Sequence, residues 1–263
     1  MTTHAFQVSG GAYNSFMGRY SKPLSPLFAD FAGVPHSGGL TALDVGCGPG
    51  ALTTELVARL GAEHVTAIDP SPGFVAECRA AHPAAVVHQA SADSIPLADD
   101  TVDVALSQLV FHFIPDPESA VREQSRVVRP GGMIAACVWD YQAGMQLLRS
   151  FWDAALSLNP DAPQEARVLV LGAPGELTGL FSACGLVDVH EDVLRVASDY
   201  SSFDELWGTF LAGVGPAGAH TRALGDDDRS ALRAALFDRL GRPEGGFTLT
   251  AAARAARGRV PAA

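Results

Sequence analysis

Three glycines at alternate positions, Gly46, Gly48 and Gly50, follow a carboxylate, Asp44, at the end of an apolar stretch. Glycines in such a turn let backbone N–H groups approach a ligand closely, and the helix behind the turn adds its N-terminal donors. Nineteen residues after Gly50, a second apolar stretch ends at Asp69, which is placed to accept hydrogen bonds from the two hydroxyls of a ribose. The spacing therefore predicts a site for an adenosine derivative.

The same turn also satisfies a dinucleotide-binding pattern, G-x-G-x-x-A, with Gly46, Gly48 and Ala51 at its small positions. Two features favour a ligand without phosphates. Asp44 would place a negative charge close to where a pyrophosphate lies, and Pro49 removes one N–H donor that a phosphate would use. A ligand with an ammonium group and no phosphate, such as S-adenosylmethionine (SAM), fits these residues better.

Further motifs along the chain are similar to those of a known family and occur in the same order. They are Asp44-Val-Gly46-Cys-Gly48-Pro-Gly50, Ala67-Ile-Asp69-Pro-Ser71, Ala92-Asp93, Phe-His112-Phe-Ile-Pro-Asp116-Pro117 and Val-Arg129-Pro-Gly131-Gly132. Over roughly residues 40–140, and more weakly over 13–31, the chain resembles class I SAM-dependent methyltransferases. The resemblance is to the subgroup that contains the ubiquinone and menaquinone C-methyltransferases and many small-molecule methyltransferases. It implies an α/β, Rossmann-like sheet of seven strands in the order 3-2-1-4-5-7-6, with the last strand antiparallel and a helical cap.

The resemblance also implies the cofactor and its contacts. SAM is the expected cofactor and S-adenosylhomocysteine (SAH) the expected product. Asp93 is expected to accept a hydrogen bond from the adenine amino group, although a solvated loop aspartate is the alternative. Arg19 is expected near the carboxylate of the methionine part, although its helical segment could simply pack on the domain. The predicted cofactor contacts are Asp44, Gly46, Gly48, Gly50, Asp69, Pro70, Ala92, Asp93, Gln108, Leu109, Met17, Arg19 and Tyr20.

Methyl transfer from a sulfonium is an in-line displacement, which needs a nucleophile close to the methyl carbon and, for some acceptors, removal of a proton. His112 falls just past the fourth predicted strand and is the candidate general base. The alternative is a histidine that is bonded to the backbone and points away from the substrate. Aromatic residues near the predicted mouth of the site are the candidate acceptor contacts: Phe111, Trp139, Trp152 and Trp207.

The order of apolar and polar stretches predicts the organisation of the chain. Strict alternation of strand and helix patterns over 40–140 indicates a parallel sheet that is covered on both faces. Strands are predicted at 40–45, 64–69, 85–89, 102–107, 133–139, 187–196 and 247–251. Residues 1–34 are predicted to form an N-terminal helical cap, in which the second helix begins at Ser25. Residues 35–263 are predicted to form the SAM-binding domain, with lid insertions at about 141–176 and 199–220.

Composition restricts the partners that this chain of 263 residues is expected to have. The formal net charge of −11 disfavours binding to the phosphate backbone of nucleic acid. The N-terminus lacks the features of a signal peptide, and no apolar run reaches the roughly 18 residues of a membrane span. A cytoplasmic protein without membrane attachment, either monomer or homodimer, is therefore expected. No His or Cys cluster has metal-ligand spacing, so no metal is expected.

The predicted function is SAM-dependent methylation of a small metabolite on oxygen, carbon or nitrogen. Two alternatives remain open from the sequence. One is an oxidoreductase that binds a nucleotide cofactor on the same glycine turn. The other is a protein of the same fold that binds SAM without transferring its methyl group.

Overall fold

The computed structural model describes residues 16–37, 39–141, 143–163 and 170–262. Its helices are α1 (Gly18–Phe31), α2 (Ala51–Leu60), α3 (Pro72–Ala81), α4 (Pro117–Val127), α5 (Gln146–Leu158), α6 (Glu176–Ala183), α7 (Phe203–Leu211), α8 (Gly215–Ala223) and α9 (Asp226–Arg239). Its strands are β1 (Ala42–Val45), β2 (Val65–Asp69), β3 (Val86–Gln89), β4 (Val102–Gln108), β5 (Val128–Trp139), β6 (Val187–Tyr200) and β7 (Phe247–Arg259). Residues 1–15 of the predicted cap and residues 142 and 164–169 of the first predicted lid lie outside the described residues.

The strands form one sheet in the order β3-β2-β1-β4-β5-β7-β6, with the antiparallel end that the resemblance implies. All residues of β1 are buried, as expected for a continuous apolar strand in the middle of a covered parallel sheet. β1 pairs in parallel with β2 on one side and with β4 on the other. The carboxyl ends of these three strands therefore lie at the same edge of the sheet. That edge is where the predicted cofactor residues begin.

Two helices of the sheet region begin at a capping side chain that is followed by a proline. The side chain of Ser71 accepts a hydrogen bond from the N–H of Phe74 at 3.5 Å, and Asp116 accepts one from Ser119 at 2.9 Å. In both cases a proline follows at the first helical position, where its missing N–H costs nothing. These caps fix where α3 and α4 start after β2 and β4.

The predicted helix start at Ser25 is wrong, because α1 runs through Pro23 and Pro26 without a break. The hydroxyl of Ser25 donates to the backbone oxygen of Ser21 at 3.0 Å and caps nothing. A proline inside a helix costs about 3 kcal/mol. Burial of large apolar side chains, about 1.5–3 kcal/mol each, offsets this cost. Three such side chains, all fully buried, lie one turn apart along α1: Tyr20, Leu24 and Phe28.

The predicted start of the fifth strand is also wrong, because β5 begins at Val128 and not at residue 133. Its pairing with β4 shifts between two pairs, Val102–Val128 and Val104–Met133. Residues 129–132 therefore form a bulge inside the strand. A Cβ at Gly132 would lie 2.7 Å from the backbone oxygen of Asp103, so only glycine permits this approach.

The later part of the chain is more regular than the sequence suggests. The glycine-rich residues 213–218, within the predicted second lid, contain the start of α8. β6 and β7 extend beyond the predicted ranges 187–196 and 247–251. In β7 the alanine-rich segment has high helix propensity, yet alternate residues are buried, which is the pattern of a strand. These buried residues are Leu249, Ala251, Ala253 and Ala255.

The chain divides into two compact units. The larger unit comprises Ser21–Val138, Leu171–Leu194 and Ala253–Ala263, and its core contains residues from β1, β2, β4, β5 and α4. The smaller unit comprises Met1–Tyr20, Trp139–Val170 and Arg195–Ala252, and its core is rich in aromatic side chains. No helix in the described part of either unit is both long and apolar enough to cross a lipid bilayer.

Candidate functional site

The glycine turn joins β1 to α2 in the larger unit. Gly46, Gly48 and Gly50 have φ angles of 73°, 54° and 99°, a region that side chains disfavour. A Cβ at Gly46 would lie 2.5 Å from Cγ2 of Val110, so glycine is required there by the segment that follows β4. Gly48 differs, because no atom lies within 4 Å of the Cβ position. The turn therefore presents Gly48 to open space, where a ligand can approach the backbone.

Asp69 connects the end of β2 to this turn. Its Oδ2 accepts a hydrogen bond from the N–H of Gly48 at 2.9 Å, and its Oδ1 accepts one from Ser71 at 2.8 Å. Burial raises the pKa of Asp69, and the two N–H donors oppose this rise. Each oxygen keeps a lone pair for a further donor, such as a ribose hydroxyl. Asp69 therefore holds the shape of the turn in addition to its predicted role.

Asp44 lies on β1, directly before the turn, and is 1% exposed. Its Oδ2 accepts a hydrogen bond from Oγ1 of Thr53 at 2.6 Å, whereas its Oδ1 has no hydrogen-bond partner. Burial raises the pKa of the Asp44 carboxyl group to about 7; hydrogen bonds from Thr53 oppose the rise and the charge of Asp69 adds to it. A buried carboxylate oxygen without a donor is costly, and a cationic ligand group would relieve that cost.

Gln108, at the end of β4, lies on the same face of the sheet as Asp44. Asp44 pairs with Leu106, and side chains two residues apart on a strand point to the same face. The side-chain N–H of Gln108 donates to the backbone oxygen of Ser21 at 3.1 Å. The Oε1 atom of Gln108 and the hydroxyl of Ser21 have no partner. Gln108, which is a predicted cofactor contact, therefore lies near Asp44 on the neighbouring strand.

Buried polar atoms without a partner are concentrated at this edge of the sheet. Of the five in the described ranges, three lie here: Asp44 Oδ1, Gln108 Oε1 and Ser21 Oγ. Leaving such an atom unpaired costs about 1–3 kcal/mol, so a cluster of them indicates a ligand site. A carboxylate oxygen and an amide oxygen can only accept hydrogen bonds. The site therefore suits a ligand group that donates, and the ammonium group of SAM is such a group.

The chain leaves β4 through a strained residue. Leu109 has a φ angle of 64°, which is uncommon for a leucine and costs about 1–3 kcal/mol. Its N–H donates to the backbone oxygen of Cys137 at 2.8 Å, which fixes this conformation. The short 3₁₀-helix Phe111–Phe113 follows and contains the buried side chain of His112. Phe111 is fully buried in the core of the larger unit, 6.4 Å from the ring of Phe181.

The other predicted contacts in the larger unit follow β2 and β3. The backbone oxygen of Pro70 accepts a hydrogen bond from the side chain of Gln89 at 3.2 Å. Asp93 is exposed and accepts a hydrogen bond from the hydroxyl of Ser91, while Ala92 is half-buried. β2 and β3 are parallel, so both loops lie at the same edge as the glycine turn. Their roles toward an adenosine group remain predictions.

Three predicted cofactor contacts belong to the smaller unit. Arg19 forms an ion pair with Glu205, donates to the backbone oxygen of Asp199 at 2.9 Å and lies 4.7 Å from the centroid of the Tyr200 ring. The hydroxyls of Tyr20 and Tyr200 are 3.2 Å apart, and both rings are buried. Met17 is also buried. These contacts engage the start of α1, and the role of the three residues at the methionine part remains a prediction.

The three tryptophans predicted to contact the acceptor are also in the smaller unit, and all are buried. Trp139 packs edge-on against Tyr20, with ring centroids 6.3 Å apart. Trp152 and Trp207 belong to one aromatic cluster, whose centre is the stacked pair Phe151 and Phe210 at 4.4 Å. Their present contacts are those of core residues, and their contact with an acceptor remains a prediction.

Several site residues escape prediction from the sequence. Thr53, Ser21 and Val110 come from three different segments and meet the predicted residues only through the fold. Of these three residues, Thr53 is the one that the sequence pattern could have indicated, because it is a polar residue next to the apolar stripe of α2. Across the described ranges, no group of three or more His, Cys, Asp or Glu side chains is placed to hold a metal ion.

Comparison with known proteins gives methyltransferases among the relatives. A protein-family model for a methyltransferase domain matches residues 43–136. An uncharacterized methyltransferase of Mycobacterium tuberculosis is 44% identical over 98 residues, which are 37% of this chain and 39% of that protein. This match thus spans less than half of the relative's length. The malonyl-[acyl-carrier protein] O-methyltransferase of Dechloromonas aromatica is 30% identical over 200 residues, which are 76% of this chain and 70% of that protein.

Solved structures show the same fold. A candidate type II methyltransferase from Anaeromyxobacter dehalogenans superposes with a TM-score of 0.66 at 25% identity, over 91% of this chain and 97% of that one. A geranyl diphosphate methyltransferase in complex with SAM superposes with a TM-score of 0.53 at 16% identity, over 92% of this chain and 87% of that one. The second likeness concerns the fold alone.

Proposed function

Because the chain belongs to the class I SAM-dependent methyltransferases, we propose that it transfers the methyl group of SAM to a small-molecule acceptor, on oxygen, carbon or nitrogen. The observation that carries this proposal is the cluster of unpaired buried acceptor atoms beside the glycine turn, led by Asp44 Oδ1 and Gln108 Oε1. These atoms need a donor group from a ligand. A dinucleotide would instead bring phosphates close to the carboxyl group of Asp44, which repels them.

The residues of the larger unit suit the parts of SAM as follows. Backbone at Gly48 borders open space for the adenosine, and Asp69 has lone pairs for its ribose hydroxyls. Asp93 follows β3 at the same edge and is proposed for the adenine amino group. Asp44 Oδ1 and Gln108 Oε1 are proposed to accept hydrogen bonds from the ammonium group. When bound, SAM supplies a methyl group that the adjacent positive sulfur makes electrophilic.

His112 is proposed to remove a proton from the acceptor. It follows Leu109 by three residues, and the strained backbone of Leu109 directs the chain after β4. For a hydroxyl or amine acceptor, the imidazole would take the proton as the acceptor atom bonds to the methyl carbon and the carbon–sulfur bond breaks, its electron pair leaving on the sulfur of SAH. A carbon acceptor that is already electron-rich would not need this step until after the transfer.

A small acceptor group is supported by one relative and by the charge of the chain. The Dechloromonas protein is named for the malonyl group that an acyl-carrier protein bears. The formal net charge of −11 disfavours a nucleic acid. Trp139, Trp152 and Trp207 remain the proposed acceptor-selective residues. Location in the cytoplasm and a monomeric or dimeric state also remain predictions.

Native mass spectrometry and turnover together test the proposal. The purified protein is incubated with SAH or with NAD⁺, and the mass of the complex is measured; we expect SAH to bind and NAD⁺ not to bind. A panel of small hydroxyl, amine and activated-carbon acceptors is then supplied with SAM, and SAH formation is measured. Binding of NAD⁺ alone would contradict the proposal in favour of an oxidoreductase. Binding of SAH without turnover on any acceptor would favour a non-catalytic binding protein.

A further inference from the structure

Thr53 is a threonine of α2 with no solvent exposure, and it contacts the carboxyl group at the centre of the candidate site. Its Oγ1 donates to Oδ2 of Asp44 at 2.6 Å. No sequence motif marks this residue, and neither the family match nor the relatives assign it a role. This hydrogen bond sets the orientation of the carboxyl group.

Thr53 also contacts its neighbour Cys78 on α3, whose thiol donates to Oγ1 of Thr53 at 3.6 Å. Because a carboxylate oxygen can only accept, the one hydroxyl proton of Thr53 is donated to Asp44. Oδ2 of Asp44 is thereby satisfied from inside the protein. Oδ1 is left buried and without a donor.

We infer that Thr53 is a positioning residue for cofactor capture, which holds the Asp44 carboxyl group so that Oδ1 accepts a hydrogen bond from the ammonium group of the ligand. This inference rests on the proposed function, because it requires a ligand with an ammonium group. Thr53 itself touches neither the cofactor nor the acceptor. It acts through Asp44 alone.

The charged and titratable groups around Asp44 come from three neighbouring segments. Asp69 at the end of β2 carries a like charge, Cys47 lies in the glycine turn and Cys78 lies on α3. Burial and the charge of Asp69 raise the pKa of Asp44, and the hydrogen bonds from Thr53 are what oppose the rise. Loss of the Thr53 hydroxyl should therefore leave Asp44 protonated, and unable to accept from the ligand, up to a higher pH.

The experiment measures SAH affinity by calorimetry between pH 5.5 and 7, below the range in which the amino group of the ligand itself titrates. The wild-type protein should bind about tenfold more tightly at pH 7 than at pH 5.5, as Asp44 ionises. Thr53→Val keeps the volume and the backbone N–H but removes the hydroxyl. This variant should raise the pH at which SAH affinity increases by about one unit, and it should weaken SAH binding at pH 7 about fivefold.

Matched variants separate this role from a general effect on folding. Thr53→Ser restores the hydroxyl and should restore the wild-type profile. Thr54→Val removes the neighbouring hydroxyl, which contacts the backbone oxygen of Gly50 and the ring of His82 but not Asp44, and should bind as the wild type does. Cys78→Ser removes the thiol and keeps a donor, so it should leave the pH profile unchanged.

The outcomes distinguish this inference from the proposed function. A Thr53→Val protein with the wild-type affinity and pH profile overturns the positioning role, while SAH binding by the wild type still supports the function. Failure of the wild type to bind SAH at any pH overturns the function itself. If Thr53→Val does not fold, Thr53→Ala provides the same comparison. In an Asp44→Asn background Thr53→Val should cause no further loss, and an additional loss would show that Thr53 acts elsewhere.

Discussion

Replacement of Gly48 by alanine separates cofactor contact from backbone strain. Gly48 has a φ angle of 54°, and no protein atom lies within 4 Å of the Cβ position. The added methyl group therefore meets nothing in the protein, and the left-handed backbone costs about 1–2 kcal/mol. Gly185, which follows α6, has a φ angle of 87° and equally open surroundings. Gly185→Ala should cost a similar amount, so both variants should melt about 3–6 °C below the wild type.

Only Gly48→Ala should lose cofactor affinity. A methyl group in the space proposed for the adenosine is expected to cost about 1–3 kcal/mol of binding, which corresponds to roughly a 5- to 150-fold increase in the SAH dissociation constant. Calorimetry measures the affinity and thermal melting measures the stability. Equal SAH affinity of Gly48→Ala and the wild type would refute the assignment of this turn. A matching loss in Gly185→Ala would show that strain, and not contact, weakens binding. Gly46→Ala is a poorer probe, because its Cβ would collide with Val110.

Four further outcomes are expected. The pKa of Asp44 is about 7 in the folded chain and 3.8 in the unfolded chain, so the folded state holds its proton more tightly. The resulting stabilisation of the fold is complete below pH 3.8 and is lost as the pH rises through about 7. The free energy of unfolding of the wild type relative to Asp44→Asn should thus fall by up to about 4 kcal/mol between pH 4 and pH 8; a constant difference in urea titrations would be inconsistent with this pKa. Asp69→Ala should weaken SAM and SAH equally in calorimetry, by about 1–3 kcal/mol, since both contain the ribose; loss of one alone would place Asp69 near the sulfur. Trp207→Phe should leave SAH affinity intact and raise the KM of an active acceptor, and unchanged acceptor kinetics would move the acceptor site elsewhere. His112→Ala should remove the acidic limb of the pH–rate profile, and an unchanged limb would leave His112 with a structural role.

Local sequence patterns are enough to predict the glycine turn and the helix starts that follow the strands. The turn at Gly46–Gly50 is one continuous stretch of sequence, and the N-terminal ends of α3 and α4 depend on capping side chains within three residues. The order of the seven strands came from the family resemblance, because strand order is not encoded in any one segment. Each of these features can be predicted from residues that are close in the sequence or from the topology of a known family.

Features that depend on distant partners were not predictable. α1 continues through two prolines because three of its side chains are buried against residues that are distant in the sequence. The bulge at residues 129–132 reflects the shifted pairing of β5 with β4, and the strain at Leu109 depends on the backbone of Cys137. Likewise, the sequence identifies Asp44 but not Thr53, whose hydroxyl reaches it from the next helix. Such long-range contacts decide the geometry of the site, and they are invisible to periodicity.

A crystal structure of the protein with SAH tests the proposed cofactor site most directly. We predict that the adenosine lies over Gly48, that the ribose hydroxyls donate to Asp69, and that the ammonium group lies within hydrogen-bond distance of Asp44 Oδ1 and Gln108 Oε1. SAH bound at another place, or in this place with its ammonium group turned away from Asp44, would contradict the assignment of the unpaired acceptor atoms as the cofactor site.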